Sequence, residues 1–405
     1  MECVLTGIYH WKPTEIPAAT PQQLIRRSED LIPTLRERSE LTEQKRGLTD
    51  ETRDDLKRTG IARLLQPVRF GGAEGALGSI IDVLIPIASG CPSTAWCLAQ
   101  YIMHNYMIAR WAPEAQEEIW ADPDALVSGI IIPRRGRAVP TDGGYRVSGQ
   151  WPLVSGIAAS DWCLVTAMTE RSSAPDEERY FLLRTSEVTV LDTWYSIGLR
   201  GSGSHDISLE DHFIPEYLSL SLADLKGGPS PGSAINPAPM FKLPTHMGFG
   251  LLLGSALIGI AESMFEIFLS QSRRRRALMS DEETAAYATH HMTVGEISSS
   301  LQSAEALLRA DGREMMEFAQ QGHALSALER SNYRCNGAFA GRLARSAAES
   351  VWDLTGARGT YQDNPIARLY QDMIVASRHT TMNWQINSTE HGRTRLRLPL
   401  SSSAL

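Results

Sequence analysis

The sequence has no Cys-x-x-Cys pair: its cysteines, Cys3, Cys91, Cys97, Cys163 and Cys335, are scattered. That spacing builds neither a zinc site nor a disulfide framework and suits a reducing compartment. Apolar runs of the roughly 18 residues that span a bilayer are missing. The longest candidate, residues 247–260, is short and broken by glycine, as in a buried core helix. Positive charge is also scarce, with 39 Lys and Arg against 47 Asp and Glu and a formal net charge of −8. This balance disfavours a nucleic-acid groove or an anionic membrane surface. The opening Met-Glu-Cys-Val has neither the basic start nor the apolar block of a signal peptide, so a cytoplasmic location is expected. No His and carboxylate cluster has metal-ligand spacing, and no Rossmann glycine fingerprint follows a strand. Ser155-Gly156 lacks the strand–elbow–helix setting of a hydrolase nucleophile.

What is present divides by hydrophobic period. The 405 residues suffice for two or three domains sharing a large interior. Before Ala121 and after His246 the period is near 3.6; between them it is two. The first block predicts helices over Pro21–Glu43, after the cap Thr49, over Ser93–Arg110 and from Pro113, with Pro86 kinking or breaking the apolar run Ile80–Ala88. The middle block holds short β-like runs and a hairpin signal at Asp142-Gly-Gly144. Ser221–Pro239, rich in Pro and Gly, reads as a linker or mobile loop. Four long helices follow, the first over His246–Arg276 and the last over Pro365–Asn387, which predicts an up-down bundle. The expected domains are 1–124 (helical), 125–220 (β) and 221–405 (helical bundle).

The most specific segments are Phe70-Gly-Gly72, Gly144-Tyr-Arg-Val-Ser-Gly149, Trp151-Pro-Leu-Val-Ser-Gly156, Asp161-Trp162 and Gly198–Asp206. In this order and spacing the chain resembles the acyl-CoA dehydrogenase fold. Within it, the chain is similar to the oxygenase components of two-component flavin-dependent monooxygenases, such as 4-hydroxyphenylacetate 3-hydroxylase and related phenol and indole oxygenases. The resemblance runs from about Leu24 to Arg393. It implies an α+β, mostly α fold: an N-terminal helical domain, a small central β-barrel or sandwich and a C-terminal four-helix bundle. It also implies reduced FMN or FAD as diffusible co-substrate, O₂, a separate NAD(P)H:flavin reductase, a small aromatic substrate and a homotetramer.

Dehydrogenation in this fold needs a carboxylate base, at positions that fall here near Thr380 and near Phe249. Neither is acidic, and residues 240–261 contain no Asp or Glu. An acyl-CoA dehydrogenase-type flavoprotein therefore loses its chemistry, and with a non-catalytic flavoprotein it stands as the alternative. N- or S-oxygenation on the same fold stays open. Oxygenation calls for a dry pocket in which a flavin C4a-hydroperoxide survives. By resemblance, Ser155 accepts the flavin N5–H, while Trp151 and Leu153 wall the ring. Gly201 and Ser202 offer N–H and hydroxyl groups to the flavin, and Arg273 reaches its phosphate. His379 matches the histidine beside the reacting flavin carbon and His104 the substrate-side histidine. Histidine suits both places because it titrates near working pH. Trp96 and Tyr101 are the expected aromatic neighbours of the substrate.

Overall fold

The computed structural model describes residues 19–131, 135–170, 176–272 and 288–399. The N-terminal block is helical: α1 (Pro21–Lys45), α2 (Asp50–Thr59), α3 (Ser79–Gly90), α4 (Pro92–Ile108) and α5 (Pro113–Ile119). Helix α1 opens with a capping box in which Thr20 and Gln23 satisfy each other's backbone N–H, and it buries Leu24, Leu31 and Leu35. Pro86 does not break its helix; α3 runs through it to Gly90. Every residue of α4 is buried, so this helix passes through the interior and shows no polar face.

The β block is β1 (Val127–Gly129), β2 (Gly136–Thr141), β3 (Gly144–Val154), β4 (Trp162–Thr169), β5 (Glu177–Arg184), β6 (Thr189–Leu191), β7 (His205–Pro215) and β8 (Ser219–Ser221). They form one eight-stranded sheet in the order β6-β7-β3-β2-β4-β5-β8, with β1 beside β4. The Asp142-Gly-Gly144 signal is the β2–β3 hairpin, and Gly143 takes the positive φ of +74° that its turn requires. Pairing of β3 with β7 slips between Trp151 and Val154. At this bulge Leu153 adopts φ +63°, unusual for a branched residue, and its side chain is half exposed.

The C-terminal block is α6 (Gly248–Ser272), α7 (Ala288–Gln321), α8 (Ala327–Thr355), α9 (Pro365–Ala376) and α10 (Trp384–Arg395). With its preceding turn, α6 is long and apolar enough to cross a membrane, yet 78% of its most apolar window is buried. It packs between α3 and α8. A Cβ on Gly337 of α8 would lie 2.7 Å from Gly250 Cα, so this crossing requires glycine at 337, whereas a Cβ on Gly250 would meet Gly337 Cα at an ordinary 3.4 Å.

Two expectations need correction. The last helix is two helices, α9 and α10, joined by a 3-10 turn over Thr380–Met382. Asn383 caps Ile386 N–H, and the Asn387 amide donates to the carbonyls of Thr380, Thr381 and Asn383 at 3.4, 3.1 and 2.8 Å. These side-chain bonds replace helical ones at the break, a local competition that apolar spacing does not report. The Ser221–Pro239 stretch is also not a loose linker. Buried Arg110 donates to the carbonyls of Asp224 and Gly228 at 2.6 and 2.8 Å, and to that of Phe241. Asn236 bonds Ala109 O and Gln116 at 2.7 and 2.8 Å. Arg110 of the first helical block thus satisfies carbonyls of a segment with no period of its own, and Asn236 of that segment donates back to the same block.

Candidate active site

A cavity of about 780 Å³ lies among α4, the β module, the turn before α6, α8 and the α9–α10 break. Helix α4 contributes Trp96, Gln100 and His104, spaced i, i+4, i+8 along one face. At ~1.5 Å rise per residue, Trp96 and His104 stand about 12 Å apart along the helix.

At the Trp96 end, the indole Nε1 donates to Ser155 Oγ at 3.1 Å. Ser155 Oγ lies 2.8 Å from Ser204 Oγ, which lies 2.7 Å from Ser202 Oγ. The imidazole of His379 meets the Trp96 ring edge-on, with centroids 5.7 Å apart. Ser155, Trp96 and His379 are therefore brought together, with Leu153 on the same cavity wall.

Three histidines line the cavity: His104, His379 and His246. Burial pushes His104 and His379 down to about 4. His246 also falls to about 4, through burial and then the charges of Arg334 and Lys226. All three are neutral at working pH, so none is the poised titrating group that the ordinary histidine value suggests. The backbone fixes two tautomers. His104 Nδ1 is 2.8 Å from the Val127 carbonyl, which only accepts, so Nδ1 carries the proton and Nε2 is an acceptor. His379 Nδ1 accepts from Thr381 N–H at 3.1 Å, so its proton sits on Nε2, a donor. One histidine can take a hydrogen bond and the other can give one.

The other expected site residues stand behind this wall. Trp151 is fully buried in the sheet and donates to Thr166 O at 2.7 Å. Tyr101, on another face of α4, donates to Gly156 O at 2.8 Å. Gly156 has φ +72°, and a Cβ there would sit 2.2 Å from the Tyr101 hydroxyl, so Tyr101 holds the turn after Ser155. Gly201 N–H is taken by buried Glu43 at 3.1 Å, and the Ser202 carbonyl accepts from Gly156 N–H at 2.8 Å. Arg273 lies outside the described residues.

Sequence reasoning missed Gln100, Trp194, Leu199 and His246 on the wall. Gln100 was findable, midway between Trp96 and His104 on one helix face. Leu199 carries no such sign: it takes φ +47°, donates its N–H to the buried carboxyl of Asp372 at 2.6 Å, and accepts from Trp194 Nε1 at 2.9 Å. Burial, with Glu43 adding to it, raises Asp372 well above the carboxylate range and favours its neutral form.

Phe249 and Thr380, near which the resemblance would put the base of a dehydrogenase, both line the cavity. The carboxylate on the wall is Glu178 of β5, next to the residues that pair with β8 and thus toward Leu222 and Lys226. Apolar Leu153, Trp194 and Val375 beside the Ser155–Ser204 hydroxyls fit a flat ring with polar edges.

Residues 251–384 match the family described as acyl-CoA dehydrogenase, C-terminal domain. The pigment production hydroxylase of a Rhodococcus species is 32% identical over 389 residues, covering 95% of this chain and 99% of the relative. The chain belongs to the oxygenase components of flavin-dependent monooxygenases. Another relative is the oxygenase component of the FADH(2)-dependent resorcinol hydroxylase of a Rhizobium species, 28% identical over 85% of this chain and 86% of that one. Among solved structures, the HsaA monooxygenase of M. tuberculosis superposes with a TM-score of 0.89 at 26% identity, covering 96% of this chain and all of that one. As a flavin-dependent monooxygenase component, the chain is an oxidoreductase that works with O₂ and reduced flavin supplied by a separate reductase.

Proposed function

We propose that the cavity binds reduced FMN or FAD against Leu153, Trp194 and Ser155, and hydroxylates a small aromatic substrate lying toward His104. The supporting observation is the pair of opposed histidine tautomers in one pocket, whose wall carries Phe249 and Thr380 near the places where the resemblance would expect a dehydrogenase base. Reduced flavin, when bound, activates O₂; the chain's own groups orient the reactants and exclude water. Ser155 Oγ accepts a flavin N–H. His104 Nε2 accepts the proton of a phenol or similar group, enriching the ring that is attacked. His379 Nε2–H donates near the oxygen being transferred. Trp96 positions Ser155, while Trp151, Tyr101, Gly201 and Ser202 support the flavin-side loops and Arg273 meets flavin phosphate.

The same reading divides the chain at 1–124, 125–220 and 221–405. The sheet acts as the small barrel or sandwich of the fold, and α6, α7, α8 with the α9–α10 pair act as its four-helix bundle. It also takes the enzyme to be a cytoplasmic homotetramer. The test is aerobic turnover with a generic flavin reductase across phenols, indoles and amines. Hydroxylated phenol or indole is expected. Flavin reduction by an acyl-CoA thioester, without oxygenated product, would overturn the assignment.

A further inference from the structure

The chain is acidic overall, yet four cations line its cavity, Lys226, Arg330, Arg334 and Arg378, against one carboxylate, Glu178. Arg330 and Arg334 are one turn apart on α8, where like charges repel unless an anion lies between or beside them. Arg334 has protein partners: its Nε donates to Asn387 at 3.3 Å, and Glu390 acts on its charge. Arg330 differs. Among the described residues its side chain has no ion pair, and its buried Nε has no hydrogen-bond partner. Lys226, exposed at the cavity mouth, likewise has no carboxylate partner among the described residues. His246 lies within the field of both Lys226 and Arg334 and stacks on Phe249 with centroids 6.1 Å apart. This end of the cavity thus combines an aromatic shelf, a neutral imidazole and an excess of positive charge. Such a wall is complementary to an oxyanion carried on an aromatic ring.

Resting on the aromatic-hydroxylase reading above, we propose that the substrate is an aromatic carboxylate whose anionic group seats on Lys226, Arg330 and Arg334. The ring extends from there toward His104.

The test uses a matched pair, hydroxyphenylpropanoate and its amide, which share shape and differ in charge. In the flavin-free protein, followed by calorimetry, the acid is expected to bind about tenfold tighter than the amide, as one charge-assisted contact implies. Arg330→Gln and Lys226→Gln are each expected to reduce that preference severalfold and leave amide binding and thermal stability unchanged. Equal binding of acid and amide by the wild-type protein would overturn the proposal. A second arm compares FMN with riboflavin. If Arg330→Gln weakens FMN but not riboflavin, the anion seated there is the flavin phosphate, and the proposal fails. Oxygenation of neutral phenols without any charge preference sinks this proposal alone. No oxygenation of any phenol or indole sinks it together with the underlying reading.

Discussion

The indole of Trp96 and the hydroxyl of Ser155 are joined by a hydrogen bond whose direction is fixed, because an indole N–H can only donate. One lone pair of Ser155 Oγ is thereby occupied. Its single proton has a partner in Ser204, which in turn reaches Ser202. With that proton given to Ser204, the remaining lone pair faces the cavity as an acceptor. The buried chain from Ser155 to Ser202 sets the polarity of the one hydroxyl assigned to the flavin.

Ser155→Ala is therefore expected to raise the ratio of H₂O₂ to hydroxylated product severalfold, while flavin affinity changes by less than about threefold. Ser204→Ala should shift the ratio in the same direction by a smaller amount, and Ser204→Thr should restore it. Coupled turnover with titration of flavin binding measures both quantities. Unchanged coupling in Ser155→Ala would remove it from the site.

His104→Ala is expected to lower kcat by about 100-fold, the usual scale of a lost proton acceptor, with flavin binding unaffected. The active form is the neutral imidazole. Because its folded value is depressed to about 4, activity that depends on it is lost only as pH falls through about 4. A rate profile with its acid limb near 6.5 would show that His104 is not held neutral by burial.

His379→Ala should impair product formation while leaving phenol binding intact; turnover at the wild-type rate would exclude it. Asn387→Ala makes a related case without touching the cavity wall. It removes the amide that holds the Thr380 and Thr381 carbonyls, so it should raise the peroxide share and destabilise the protein by roughly 1–3 kcal/mol. Product analysis and denaturant unfolding read the two effects separately.

Off the cavity wall, burial raises the Asp311 carboxyl to about 7, beside Glu314 and with Asn336 donating to it at 2.9 Å. Its folded value lies above the unfolded one, so its neutral form stabilises the fold at low pH. That contribution is lost as pH rises through about 7. Asp311→Asn is expected to be close to neutral near pH 3.5, below the unfolded carboxyl value, and to stabilise by about 1–3 kcal/mol at pH 8. Thermal unfolding at the two pH values checks it, and an equal effect at both would contradict the assignment.

The period change at Ala121 and His246 marked the blocks, and Asp142-Gly-Gly144 marked its hairpin. That Ser155, His104 and His379 belong to one cavity wall was legible because their segments resemble a known pattern. Trp151 was read as a site residue from the resemblance of its segment, and Tyr101 as one of the aromatics on its helix. Only the packing shows the first inside the sheet and the second clamping Gly156. His246 was hidden because it opens an apolar helix whose spacing says nothing about its lone polar member. Arg110 was hidden because its partners are carbonyls, which belong to every residue and leave no trace in the letters.

The interrupted helix at Thr380–Met382 has one more effect. An imidazole mounted mid-helix would be locked to the pitch of that helix. His379 instead sits at a joint, and its reach is set by the angle at which α9 meets α10. Arg334 touches that joint through Asn387 while also lining the far wall. Two side chains, Arg334 and Asn387, thus tie the α8 wall of the cavity to the joint that carries His379.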